Sequence, residues 1–149
     1  MARYLHFAAM IATSTVLMFG LMYLNVYASD HVFWSETRAY MALVMGATMG
    51  IVMMGFMISM YPDRRANAAV FVGCALLFAG ALFLVRSQAT VGDVSWMKAM
   101  IPHHSIAILT SERADISDPR VRALADEIIE AQRREIAEMR VLIADLESR

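Results

Sequence analysis

The sequence predicts an all-helical protein: three membrane-spanning helices followed by a polar helical hairpin. Three observations carry this reading. Of 149 residues, 59% are hydrophobic and the mean hydropathy is +0.52, above the usual range of a soluble domain of this size. The charge is segregated, with 8 of the 13 Lys and Arg and 11 of the 14 Asp and Glu lying after Arg86. Beyond that point apolar residues recur every three or four positions instead of forming long runs. The chain therefore divides into a membrane part, residues 1–86, and a polar part, residues 87–149.

Crossing a bilayer takes about 20 apolar residues. Three stretches are long enough, at about 7–27, about 40–60 and about 68–85. The first also has features of a signal peptide: Arg3 makes a short basic start, and Val26 to Ser29 are small-residue neighbours of a cleavage site. Its apolar run exceeds the usual signal core of roughly 7–15 residues, so a retained helix is expected. Between the second and third stretches, "YPDRRAN" supplies Pro62 as a stop and Asn67 as a capping residue for the next helix. Arg64 and Arg65 sit in this loop and Arg3 precedes the first helix, whereas the first loop carries Asp30 and Glu36 against Arg38 alone. The positive-inside rule then puts the N-terminus and the Arg64/Arg65 loop in the cytoplasm. Three crossings place the polar part on the outer face, the periplasm of a bacterial inner membrane.

The second stretch has its own patterns. Met41, Met45, Met49, Met53 and Met57 recur every four residues, and 7 of the chain's 14 methionines fall between Met41 and Met60. Thioether sulfur suits Cu(I), but methionine is also a common filler of apolar helices. Ala42, Gly46 and Gly50 form a small-residue line fit for close helix contact, within the chain or between copies. Cys74 lies in an apolar stretch and reads as a small buried hydrophobe.

The polar part reads as two helices. Asp93 can cap the first, which runs to about Ala114. "ISDPRVRAL" restarts the chain, with Asp118 as cap and Pro119 at the first helical position. The second helix reaches about Leu146, with Val121, Leu124, Ile128, Ile136, Met139, Ile143 and Leu146 as its apolar positions and Glu130 and Arg134 spaced for an i,i+4 pair. An isolated hairpin leaves an apolar stripe uncovered on each helix, so association with a second hairpin into a four-helix bundle is expected.

The chemistry-bearing stretch is "MKAMIPHHSIAI", residues 97–108. Met100 lies one turn from both His103 and His104, and Met97 a turn earlier on nearly the same side. Pro102 cannot donate to the carbonyl of Lys98, so a kink is expected there, with an unpaired carbonyl beside the histidines. On the second helix, Gln132 and Glu135 share a stripe with Ile128 and Met139. A carboxylate there needs a partner, and an imidazole across the hairpin is the nearest one. Glu135 is thus a group that could orient a histidine, or a rim residue reaching water.

Several classes are disfavoured. With no basic run and a net charge of −1, nucleic acid is not an expected partner. ExxH pairs of the di-iron type, HExxH, a Gly-rich phosphate loop and a serine–histidine–acid spacing are all missing, so no enzymatic activity is expected.

"DVSWMKAMIPHHSIAI" together with "DPRVRALADEIIEAQRREIAEMRVLI", residues 93–143, resembles the DUF305 family, whose pattern is an Asp, a "MIPHH" core and a second helix of this register. The membrane part resembles that family's membrane-anchored branch. The resemblance implies a ferritin-like helical bundle and, as in some members, periplasmic copper binding through methionine and histidine. It implicates Met100, His103, His104 and Met139 as metal ligands, Met97 and Glu135 as further candidates, and Asp93 and Gln132 as supporting polar positions. In one departure, Thr110 stands where many members place a methionine, which removes a soft ligand. In another, this chain has one hairpin where copper-binding members usually have two.

The combined expectation is a bacterial inner-membrane protein, surrounded by lipid and self-associating, that binds copper, as Cu(I), in copper homeostasis or tolerance. Copper-handling partner proteins are conceivable but none is named by the sequence. The alternative is a structural or interaction protein that oligomerises through its bundle and binds no metal.

Overall fold

The structure is a computed structural model that describes residues 2–149. Its elements are α1 (Ala2–Leu21), α2 (Glu36–Phe56), α3 (Arg64–Ser87), α4 (Asp93–Arg113) and α5 (Pro119–Glu147), with short 3-10 turns at Ser29–His31 and Ile58–Met60. No strand occurs among the described residues. Helices α1, α2 and α3 are long and apolar enough to cross a membrane, with mean hydropathies of 1.5, 1.7 and 2.6. Each begins before its apolar run does, because a polar first turn such as Glu36-Thr37-Arg38 or Arg64-Arg65 is itself helical.

The chain forms two compact units: one takes residues up to Met22 and Thr37–Thr90, the other Tyr23–Glu36 and Val91–Arg149. In the first unit the seam of α2 is its small-residue line. Ala42, Gly46, Ala47, Gly50 and Met54 are buried. A Cβ on Gly46 would stand 2.2 Å from Thr15 Oγ1 on α1, and one on Gly50 would stand 2.7 Å from Cys74 Sγ on α3. Both glycines therefore serve contacts within the chain, where only a bare backbone fits. The methionine line is the margin of this seam and not its centre: Met41 is exposed and Met45, Met49, Met53 and Met57 are half-buried.

At the other end of the first unit Phe7, Met54 and Tyr61 form a small core, joined by Tyr4, Met53 and Met57. The expected capping role of Asn67 falls instead to Asp63, whose carboxylate accepts the N–H groups of Arg65 (2.9 Å) and Ala66 (3.2 Å). Asp63 directly precedes the first helical residue, the position from which a short carboxylate reaches the unsatisfied N–H groups. Asn67 is buried and braces the turn: it donates to the Tyr61 carbonyl (2.9 Å) and accepts the Tyr4 hydroxyl (2.8 Å).

In the second unit α4 and α5 pack as a hairpin around Met97, Ile101, Ile108, Ile136, Met139 and Ile143, with Phe33, Val94, Met100 and Ile129 against them. Gly92 is the cap of α4, and Asp93 is its first residue, favourable at the positive end of the helix dipole. Asp118 caps α5 as expected, accepting Arg120 N–H at 2.8 Å ahead of Pro119. α4 runs unbroken through Pro102, which is buried. In the first turns of α5 the buried line differs from the expected one. Ala125 is buried and Ile129 packs on the core, whereas Val121 and Leu124 are exposed, as is Leu146 at the far end of the helix. Two apolar lines thus run along α5, and only one faces α4. The i,i+4 ion pairs formed on α5 are Arg122–Asp126 and Asp145–Arg149; Glu130 and Arg134 form none, as suits an exposed pair of little energetic value.

Candidate functional site

The residue spacing of α4 and α5 brings one set of candidates together. Met97 and His104, seven residues apart, lie on one face of α4; Glu135, Glu138, Met139 and Leu142 lie on the facing side of α5. With Trp96 they line a pocket of about 230 Å³. Met97 and Met139 are buried, Glu138, Trp96 and Leu142 exposed. Glu138, one turn beyond Glu135, and Trp96, two turns before His104, were legible only as helix neighbours of those residues.

His104 is fixed at both ring nitrogens. Its Nε2 lies 2.9 Å from Glu135 Oε2 across the hairpin, and its Nδ1 lies 3.1 Å from the Met100 carbonyl oxygen one turn earlier. Of the two histidines, the one turned toward Glu135 is His104. A neutral imidazole carries one N–H, while both groups facing it are acceptors. A proton or a cation at the second nitrogen completes the arrangement. Burial pushes the His104 imidazolium below its usual pKa range; the Glu135 carboxylate opposes this and His103 adds to it.

The remaining candidates lie apart from the pocket. His103 is exposed and meets the edge of the His104 ring, with centroids 6.1 Å apart. Met100 is half-buried against the core and contributes its carbonyl, not its sulfur, to the His104 contact. Thr110 is exposed, two turns beyond His103 on the same face, and its hydroxyl donates back to the Ile106 carbonyl at 3.0 Å. Gln132 is half-buried.

Among the described residues no three His, Cys, Asp or Glu side chains gather as a metal-holding group. A metal at the pocket must therefore draw on sulfur. The donor chemistry present, one imidazole with two thioethers and the carboxylates of Glu135 and Glu138, fits a soft or borderline ion better than Mg²⁺ or Ca²⁺, which take six or more oxygen ligands or ordered water.

Sequence spacing gave no sign of a second polar cluster, assembled from residues far apart in the chain. Ser105 accepts the Tyr27 backbone N–H at 2.7 Å and lies 2.8 Å from His31 Nδ1, while His31 Nε2 is 4.0 Å from Asp30 Oδ1. Serine, histidine and aspartate are thus adjacent. Ser105 has 0% exposure, so its hydroxyl is out of reach of a substrate in solution, and it serves to fasten the loop.

Comparison with known proteins matches the hairpin and the end of α3. Residues 84–147 match the family model of DUF305, a domain of unknown function. An uncharacterized protein of Acanthamoeba polyphaga mimivirus is 39% identical over 64 residues, covering 42% of this chain and 42% of that protein. The chain thus matches less than half the length of that relative. No solved structure matches the chain.

Proposed function

We propose that this chain, with its DUF305 match over residues 84–147, is a membrane-anchored metal-binding protein that holds copper, as Cu(I), on its helical hairpin. The observation that carries the reading is the pocket in which Met97, His104, Glu135 and Met139 converge. A metal on His104 Nε2 would take the place of the present Glu135 contact, with Met97 and Met139 supplying sulfur, Glu135 as a further ligand, and the ring held by Nδ1 at the Met100 carbonyl. His103, at the rim, serves as an exchange ligand, and Met100 supports the ring through its carbonyl. The role is storage or transfer in copper homeostasis, with no catalytic step.

In this reading the N-terminus and the Arg64/Arg65 loop face the cytoplasm and the hairpin faces the periplasm of a bacterial inner membrane. The second apolar line of α5, with Val121, Leu124 and Leu146 exposed, supports self-association into a four-helix bundle.

One observation favours a second reading. Both nitrogens of His104 already have protein partners, as they would in a purely structural clamp between helices. Cu(I) competition titration of the wild type and of His103→Ala/His104→Ala separates the two. Weaker binding in the double variant is expected; equal affinity leaves the structural clamp and removes the site.

A further inference from the structure

A connection between two apolar helices ordinarily runs over a surface with its backbone in water. Tyr23–Glu36 is instead fastened to the hairpin at three places. Ser105 of α4 holds the Tyr27 N–H and the His31 ring. Arg140 of α5 donates to the Asp30 carboxylate at 2.7 Å and to its carbonyl at 2.9 Å. Phe33 packs on the cluster that contains Ile101 and Ile108.

We propose that Tyr23–Glu36 is an acid-released strap: uncharged His31 latches it to buried Ser105, and protonation of His31 detaches it from the apolar seam of the hairpin. The latch follows from counting protons. Ser105 has one O–H to give, and one of its lone pairs is occupied by the Tyr27 N–H. The latch assigns this O–H to an unprotonated Nδ1, 2.8 Å away, with the ring proton on Nε2, toward Asp30. A charged ring carries hydrogen on Nδ1 as well. Two donors then converge on Oγ, and the serine proton must leave the ring for another acceptor, so the bond that holds the neutral ring is lost.

The surrounding charges set how strongly the ring resists protonation. Asp30, on the strap itself, is the one carboxylate facing it, and Tyr27 is the strap's other titratable group there. α5 presents Arg140 and Arg133 to the same cavity, and α4 presents Ser105 and Ile108, neither of them charged. Arg133 is occupied by Glu112 and Arg140 by Asp30. Burial lowers the His31 pKa from its usual value; Asp30 opposes this and Arg140 adds to it. The docked strap therefore prefers the neutral ring. Docking is at full strength above about pH 6.5, where a released histidine is also neutral. It weakens as pH falls below that value, until the docked ring's own lower pKa is reached.

The test is hydrogen exchange of the full-length protein in detergent at pH 7.5 and 5.5, corrected for the chemical pH dependence of exchange. Peptides covering Tyr27 to Phe33 are expected to lose protection in acid, by up to about tenfold at pH 5.5, since the limit is one decade per pH unit below the free histidine pKa. Amides of α4 and α5 should stay protected. His31→Asn cannot be charged, so its strap should show the same protection at both pH values, whatever its level. Ser105→Ala should leave the strap open at both, with the hairpin still protected. Wild-type protection that is flat with pH, acid loss in His31→Asn equal to that of wild type, or loss shared by the whole hairpin would each overturn the latch.

Discussion

His104 Nε2 stands 2.9 Å from Glu135 Oε2, so a residue of α4 and a residue of α5 are placed to share one proton. Glu135 is 46% exposed, and an ion pair this open to water is worth little on its own, about 1 kcal/mol or less. The contact matters more for where it holds the ring than for stability.

Metal binding at this pair should depend on pH in a defined direction. The ligand form of histidine is neutral, and the His104 pKa is lowered by burial. Affinity for Cu(I) should therefore hold steady down through the usual histidine range and fall only below it. Glu135→Gln removes the carboxylate that opposes the lowering, so the decline should begin at still lower pH, with weaker binding throughout. Competition titrations from pH 7.5 to 4.5 on both proteins read this, and a decline that starts above about pH 6.5 would contradict it.

Hairpin stability should follow burial more closely than apolar character. Ile143 is 6% exposed within the core, whereas Ile128 is half-buried. Ile143→Ala should cost about 2–5 kcal/mol in unfolding free energy, and Ile128→Ala distinctly less. Equal losses in denaturant unfolding would mean that a second chain buries Ile128 in solution.

The close approach at Gly50 can be tested by paired substitution. A Cβ there meets Cys74 Sγ at 2.7 Å but Cys74 Cβ only at 3.9 Å. Gly50→Ala should lower the thermal midpoint of the protein in detergent, and Gly50→Ala/Cys74→Ala should recover most of it. At Gly46 the obstacle includes Thr15 Cβ at 3.2 Å as well as Oγ1, so Gly46→Ala should be rescued less completely by Thr15→Ala. Rescue of equal size at both sites would refute this account of the seam.

Self-association should map to the outer line of α5. Leu124→Lys and Leu146→Lys replace side chains that are 56% and 37% exposed, so the isolated fold tolerates them. In light scattering of the detergent-solubilised protein they should shift the oligomer toward monomer while helicity is retained. An unchanged mass in both variants would exclude this face.

Orientation is checked by reporters active only in the periplasm. A fusion after Arg149 should be active and one in the Asp63–Ala66 loop silent. Reversed activities would place the hairpin in the cytoplasm and count against the copper reading.

The helices themselves were legible from the chain. Long apolar runs without charge, and an Asp-Pro restart at Asp118-Pro119, depend on local chemistry that short stretches of sequence carry in full. The caps were partly legible: Asp118 was, but Asp63 displaced Asn67, since the first turn starts ahead of the apolar run. For α5 the list of apolar positions held two lines at once. Val121 and Leu124 fit the period as well as Ala125 and Ile129 do, and only packing against α4 chooses between them.

The sequence by itself determined the class of the protein, its three apolar helices, its polar hairpin and the residue types available for chemistry. Only the tertiary structure decided which of them meet. It set His104, and not His103, against Glu135; neighbours on a helix point about 100° apart, and one of the two had to face water. It brought Asp30 and His31 to Ser105 and Arg140 across more than 70 residues of chain, a pairing with no periodic trace because it joins a loop to two helices. It also turned Gly46 and Gly50 toward α1 and α3. A small-residue line states that two backbones can approach, but the identity of the approaching backbone is a property of the folded chain.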